Sequence, residues 1–380
     1  MVIKHSLKLI PIVFCGIVYP GDTPSENAQF LLFLCAVLKA VDDYQDLLRV
    51  SVASAGNDHR LGAHEAPPAV VSIFLGEELT DILQSIEKDE PYGAKEKELL
   101  RIGVHTLPKF PKDTTDRNRT SPFAFTGNKF EFRMLGSAAS VSDTNTTLNT
   151  AVAEILKQFA DELEGAENFK TSLHELIKRV ITAHKRIIFN GNGYDDKWIA
   201  EAQKRGLSNL ATTPDAMPSF ITEKSISLFT SHKVYTEREI RSRYEIFLEG
   251  YCKIIRIEAK TMLDMAMKEI LPAVSEYSQV LANTILSKKA VSKKLDCSYE
   301  EEMLARISRF VGESYRWAND LKASLEEMKG IADVTERSFF CKNSTLFIMK
   351  LLRGTVDHLE NIVSADYWPI PTYGDLLFGV

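Results

Sequence analysis

The sequence predicts an α+β fold in which a first half of strands and helices precedes a bundle of long helices, and three observations carry that prediction. Residues Lys129-Phe130-Glu131-Phe132-Arg133 alternate charged and aromatic with the period of a β-strand. Residues 27–41, NAQFLLFLCAVLKAV, are apolar almost all round, as expected of a helix buried at a domain centre. From Thr236 onward helical periodicity dominates over 236–287, 299–329 and 334–363. Long helices in series predict an antiparallel bundle.

The first element is the least regular. Residues 7–19, LKLIPIVFCGIVY, sit beside Lys4 and Lys8 and have the composition of an export signal. The run is too short and too interrupted to span a membrane. No small-x-small cleavage motif follows it, and Phe14 precedes Cys15 where a lipoprotein signal requires a small residue. A buried strand is the expectation, with a truncated or altered start of a longer protein as the alternative.

Turn residues Pro20-Gly21-Asp22-Thr23-Pro24 lead into the apolar helix, which runs to Tyr44. Residues 48–54 have the β-branched content of a strand, and 55–68 form a polar loop. That loop holds five ionisable groups, Asp58, His59, Arg60, His64 and Glu65, a density suited to a functional loop and equally to a solvated one. Residues 70–75 are strand-like and 77–87 a short helix. Asn145 and Thr146 can cap a helix whose apolar positions Leu148, Val152, Ile155, Leu156, Phe159 and Leu163 face the preceding sheet. A further helix over 170–188 ends at Asn190-Gly191-Asn192-Gly193-Tyr194. This glycine-rich turn follows a helix rather than a strand and lacks a GK[ST] ending, so it terminates a helix rather than cradling phosphate. Thr236 and Glu239 have the spacing of a capping box. The aromatic and proline-rich end, 367–378, is expected to dock back on the globular part.

Composition bounds the function. The chain has 380 residues, 44% of them hydrophobic, enough for a large core and two or three domains. The net charge of −6 and pI near 5.9 give no overall attraction for nucleic acid or an anionic membrane, so any anion site must be local. Five cysteines without CxxC spacing indicate neither a zinc site nor a disulfide framework. A reducing cytoplasm is the default location.

Residues 116–133, DRNRTSPFAFTGNKFEFR, gather three arginines, a lysine and a glutamate in a segment that ends as a strand. A strand over its end sends Lys129, Glu131 and Arg133 to one face and the phenylalanines to the other. A carboxylate fixed between two cations suits a site that holds a metal ion beside anionic oxygens. The same alternation also suits a solvated strand face with cross-strand ion pairs.

Four segments together resemble type III glutamine synthetases: SVASAGNDHRLGAHEAPPA (51–69), RNRTSPFAFTGNKFEFRMLGS (117–137), RIIFNGNGYDDKW (186–198) and YWPIPTYGDLLF (367–378). The resemblance covers the chain from about Gly21 to Phe378. It implies ATP-dependent ligation of glutamate and ammonia through γ-glutamyl phosphate, with ATP and Mg2+ or Mn2+ as cofactors. It implies Glu131 as a metal ligand, Arg133 and Arg60 as substrate-binding arginines, and Lys129 as a cation near the nucleotide phosphates. It also implies that Arg119 stabilises the phosphoryl group in transfer, and that Glu65 is a flap glutamate that closes over the intermediate and takes a proton from ammonium. The carboxylate in a lid makes physical sense, since it attracts ammonium and keeps water from an acyl phosphate.

By the same resemblance the fold is the C-terminal part of the glutamine synthetase catalytic domain, an antiparallel sheet with packed helices, followed by a long-helix bundle. The implied division is an aberrant or truncated start over 1–20, the catalytic-domain portion over 21–165, a helix and loop connection over 166–235, the bundle over 236–363 and a docking tail over 364–380. A homo-oligomeric ring with sites between subunits is implied, with no nucleic acid or membrane partner. Two departures stand out. Ala124 occupies a position where many members carry a second arginine, and the β-grasp domain and several metal-binding glutamates of the family precede the region represented here. His5 is the one candidate remnant of that upstream part. One glutamate cannot complete the cages of several divalent ions, each needing about six ligands, so catalysis by this chain alone is not expected. An alternative of another class is a non-catalytic remnant that serves as a helical oligomerisation module. A guanidino kinase on a similar fold is a third, against which the long matches around Arg60 and Glu131 argue.

Overall fold

The computed structural model describes residues 7–9, 19–21, 23–63, 66–92 and 120–378. The chain forms two compact units, Met1–Tyr244 and Glu245–Val380, and the division between them falls inside one long helix.

In the first unit, strand β1 (Leu7–Leu9) is the described part of the apolar start. Helix α1 (Ala28–Asp43) begins where the Asn27 side chain accepts from the Phe30 N–H at 3.0 Å. It buries Phe30, Leu34, Leu38 and Val41, as its apolar sequence requires, and packs against the later helices α5 (Ser142–Leu163) and α6 (Phe169–His184). Tyr44 interrupts the helix, and α2 (Gln45–Val50) and α3 (Ala55–Arg60) follow. These two short helices replace the strand expected at 48–54 and the first half of the loop expected over 55–68. A short apolar run with two valines is ambiguous between strand and helix. Here the helix wins because Arg49, pointing inward from α2, finds partners far along the chain.

Strand β2 (Ile73–Phe74) leads to α4 (Glu77–Lys88), and the hairpin β3 (Phe123–Phe125) and β4 (Phe130–Phe132) follows. The sheet order is β1-β4-β3-β2, with β1–β4 and β4–β3 antiparallel and β2–β3 parallel. The sheet is therefore mixed rather than antiparallel, because the connection from β2 to β3 passes through α4 and returns in the same direction. The hairpin register pairs Phe123 with Phe132, Ala124 with Glu131 and Phe125 with Phe130. One face is an aromatic cluster, with Phe123–Phe130 centroids 5.1 Å apart, Phe125–Phe130 5.2 Å, and Phe125 against Phe30 of α1 at 5.9 Å. The other face is left to Ala124, Glu131 and their neighbours.

The rest of the first unit is helical: α7 (Asp196–Lys204), α8 (Thr213–Ala216), α9 (Glu223–Ser231) and the start of α10 (Glu237–Met265). The expected capping box is present, with the Thr236 N–H donating to Glu239 Oε2 at 2.8 Å and the Glu239 N–H to Thr236 Oγ1 at 3.3 Å. The Asn190–Tyr194 turn ends a helical stretch as expected. Asn190 Oδ1 accepts from the N–H groups of Leu75 and Gly76, both at 3.1 Å, so the turn ties β2 and the start of α4 to the end of α6.

The second unit continues α10 through a π-helical turn (Ala266–Ile270) into α11 (Leu271–Val291). Pro272 stands at the start of α11, and the wider turn before it absorbs the missing N–H and the ring. Helix α12 (Ser298–Gly330) packs against α11 and against α14 (Leu346–Glu360), which is reached through α13 (Val334–Phe340) and a second π turn (Cys341–Thr345). Ile307, Leu321, Leu325, Leu352 and Leu359 fill this core. Two buried hydroxyl pairs cross it, Ser314 to Thr355 at 2.9 Å and Ser324 to Thr345 at 2.8 Å. After Tyr367, whose ring meets Tyr277 at 5.4 Å, the short α15 (Tyr373–Phe378) exposes Tyr373, Leu376, Leu377 and Phe378. No helix among the described residues is long and apolar enough to cross a membrane.

Candidate functional site

Strand β4 places the polar face as the alternation predicts. Phe130 and Phe132 are buried, and Lys129, Glu131 and Arg133 lie on the opposite side. Arg133 stays in register beyond the strand through its N–H, which donates to Pro122 O at 2.7 Å. Its guanidinium reaches back over two residues to Glu131 Oε2, at 3.1 Å from Nη2 and 3.3 Å from Nε. The side chains of Arg133 and Glu131 are 7% and 14% exposed, which a solvated strand face would not give. Removing this pair from water costs desolvation energy that Coulomb attraction offsets only in part. Glu131 has Ala124 as its register partner in β3 and Lys8 in β1, and Arg133, two residues along the same strand, makes the ion pair with it.

Arg60 arrives from α3. Ser54 caps this helix by accepting from the Asn57 N–H at 3.2 Å, which turns Asn57, Asp58 and Arg60 in fixed directions. Arg60 Nη1 donates to Met134 O and Asn57 Oδ1, both at 3.0 Å, and Nη2 donates to Arg133 O at 3.3 Å. The guanidinium is thus seated on the backbone of the residues that end β4. Arg60, Glu131 and Arg133 form one cluster from segments more than seventy residues apart. Lys129 enters the hairpin turn, where its carbonyl accepts from the Thr126 N–H at 2.8 Å, and it is half-buried on the same strand face. Glu65 and Arg119 lie outside the described residues.

A second clamp holds α3 from the other side. Arg49, with its side chain 1% exposed, pairs through Nη2 with Asp58 Oδ1 at 2.7 Å and donates to Leu210 O at 2.7 Å and Ala211 O at 3.2 Å. Asp58 also accepts from the Thr213 N–H at 2.6 Å and the Thr213 hydroxyl at 3.0 Å. Burial pushes the Asp58 carboxyl above its usual 3.8, against the downward pull of Arg49 and Thr213. Asn57 and Asp58 are polar residues of a stretch read as loop, and their structural partners could not be inferred locally.

Glu131 is a hard oxygen donor of the type that Mg2+ or Mn2+ takes. It fits such an ion as a single ligand, since the one group of three metal-type donors found among the described residues is elsewhere, at Asp42, Asp43 and His184. Those three are already neutralised. Asp42 accepts from Arg186 Nε at 3.0 Å and His184 Nδ1 at 2.7 Å, and Asp43 accepts from Lys39 at 2.6 Å, so the cluster is an ion-pair network joining α1 to α6.

The Gly193 Cα is pinched in the Asn190–Tyr194 turn. A Cβ there would overlap the carbonyl oxygen of Thr120 and lie 3.6 Å from Pro67 Cβ. The turn therefore backs onto the described ends of the two segments that carry Glu65 and Arg119 in sequence. Phe189 and Trp198 stack at 3.7 Å behind it, with the Arg205 guanidinium 5.4 Å from the Trp198 ring.

Comparison with known proteins gives one family assignment. Residues 172–289 match the model of the glutamine synthetase C-terminal domain. The chain is 41% identical over 366 residues to a glutamine synthetase of Butyrivibrio fibrisolvens, covering 95% of this chain and 52% of that protein. It is 39% identical over 369 residues to the type-3 glutamine synthetase of Dictyostelium discoideum (94% and 50%). It is 36% identical over 373 residues to a glutamine synthetase of Bacteroides fragilis (94% and 51%). The chain thus spans about half the length of the curated relatives it matches. On matches that run through almost its whole length, the chain belongs to the glutamine synthetase family.

Proposed function

We propose that this chain carries one wall of the active site of an ATP-dependent glutamate–ammonia ligase of type III, which forms glutamine through γ-glutamyl phosphate. The observation that carries the reading is the shielded Glu131–Arg133 pair with the Arg60 guanidinium seated on the backbone beside it. Two arginines converging from an α-helix and a strand suit the two carboxylates of glutamate, because each guanidinium presents a planar fork that matches a carboxylate. Arg60 and Arg133 are assigned to that binding. Lys129, at the mouth of the hairpin, is assigned to the nucleotide phosphates as a point charge. A divalent cation held in part by Glu131 would offset the charge of the phosphate and carboxylate oxygens gathered there. Arg119 and Glu65 keep the roles of phosphoryl-group stabiliser and flap base in this proposal. A homo-oligomeric ring and a cytoplasmic location belong to it as well.

Isothermal titration of the chain with L-glutamate, with and without MgATP, tests the reading. Saturable glutamate binding that weakens by about tenfold or more in Arg60→Ala supports it, in line with the loss of a charged hydrogen-bonding partner. No binding by the folded chain, or binding indifferent to Arg60→Ala and Arg133→Ala, would sink it. The alternative of a purely helical interaction module predicts that second outcome.

A further inference from the structure

We propose that Asn57 is a positioning residue that fixes the Arg60 guanidinium against the end of β4, and so sets the geometry of the cluster. The proposal rests on the reading of Arg60 as a substrate-binding group. The side chain of Arg60 is long and leaves from the last turn of a six-residue helix, so its rotamer is fixed only through contacts of the guanidinium. Its contacts include two backbone carbonyls, Arg133 O and Met134 O, and a side-chain oxygen of the same helix, Asn57 Oδ1.

Asn57 is 4% exposed, and its carboxamide is committed at both ends. Nδ2 donates to Val52 O at 2.8 Å and to Met134 O at 3.0 Å, while Oδ1 accepts from Arg60 Nη1 at 3.0 Å. The orientation of the amide is fixed by chemistry, since carbonyls can only accept and a guanidinium can only donate. Met134 O therefore receives both Asn57 and Arg60, and the three groups close a triangle between α3 and the strand end. Gly136 lies beside this triangle, where an added Cβ would stand 3.4 Å from Asn57 Oδ1, an ordinary contact. An apolar side chain at 57 would leave Val52 O without this donor and remove a side-chain acceptor that holds the Arg60 guanidinium.

Two measurements on the full chain test this. In a double-mutant cycle, Asn57→Ala weakens glutamate binding by about tenfold, and Asn57→Ala with Arg60→Ala is no weaker than Arg60→Ala alone. Equal effects of Asn57→Ala with and without Arg60 overturn the proposal, because they mark a general structural role. The second measurement needs no ligand. The NMR signals of the Arg60 guanidinium, identified by their loss in Arg60→Lys, are resolved by restricted rotation in the wild type and collapse in Asn57→Ala. Should Asn57→Ala fail to fold, Asn57→Asp, which keeps the acceptor and loses the donors, retains resolved signals if the Oδ1 contact is what restrains Arg60. Signals that stay resolved in Asn57→Ala, or collapse in a folded Asn57→Asp, contradict the assignment. Absence of glutamate binding with an Asn57-dependent Arg60 signal refutes the functional reading and leaves the positioning contact standing.

Discussion

Some ion pairs of this first unit are largely buried, Arg49–Asp58 and Arg133–Glu131 among them. Arg49 and Asp58 are the deepest, at 1% and 10% side-chain exposure. Arg49→Met leaves Asp58 without its cation, and we expect a loss of about 3–5 kcal/mol in urea unfolding at pH 7. The deficit shrinks toward pH 4. Burial already holds the folded-state carboxyl above 3.8, and without Arg49 it rises further. Over that window the folded protein binds a proton that the unfolded chain has released, so stability falls as pH rises through it. A deficit independent of pH between 4 and 7 would rule out this account of Asp58. None of this was legible in the sequence, because Arg49 and its acceptor Leu210 are 161 positions apart and Asn57 and Met134 are 77 apart. The pairing of Glu131 with Arg133 could be read, since two residues on one strand face are neighbours by geometry alone.

Among the elements, those with a strong period or a self-contained cap were readable. The alternation of 129–133 gave β4 and both of its faces, and the Thr236–Glu239 box marked the start of α10. Helices α2 and α3 were not, because each is six residues long and held by tertiary contacts rather than by its own periodicity. The sheet was expected to be antiparallel, and the β2–β3 pair is parallel because a local strand pattern carries no direction. The Asn190–Tyr194 turn makes its own prediction. Gly193→Ala forces a Cβ into backbone at Thr120, and we expect a loss of about 1–3 kcal/mol by overpacking. Gly165→Ala, where an added Cβ meets nothing within 4 Å, serves as the control and stays within about 0.5 kcal/mol. Equal thermal midpoints for the two variants would show that the turn has slack that its packing does not suggest.

For the molecule as a whole, the family model covers helices α6 to α11 and the relatives extend the match across nearly all of the chain. The second unit exposes Ile246, Ile257, Leu286, Val291 and Phe347, apolar area of the kind that assembly covers. We expect sedimentation equilibrium to return a homo-oligomer, and a monomer at micromolar concentration would contradict the proposed ring. On the proposed function the face of β4 is the wall of a metal and substrate site and not a structural ion pair. Counting Mn2+ bound in the presence of ATP by electron paramagnetic resonance, on the wild type and on Glu131→Gln, tests it most directly. A metal and substrate wall gives ATP-dependent binding that weakens by roughly 10–100-fold in the variant; equal Mn2+ binding by a folded Glu131→Gln chain, or none by the wild type, leaves the pair a structural one.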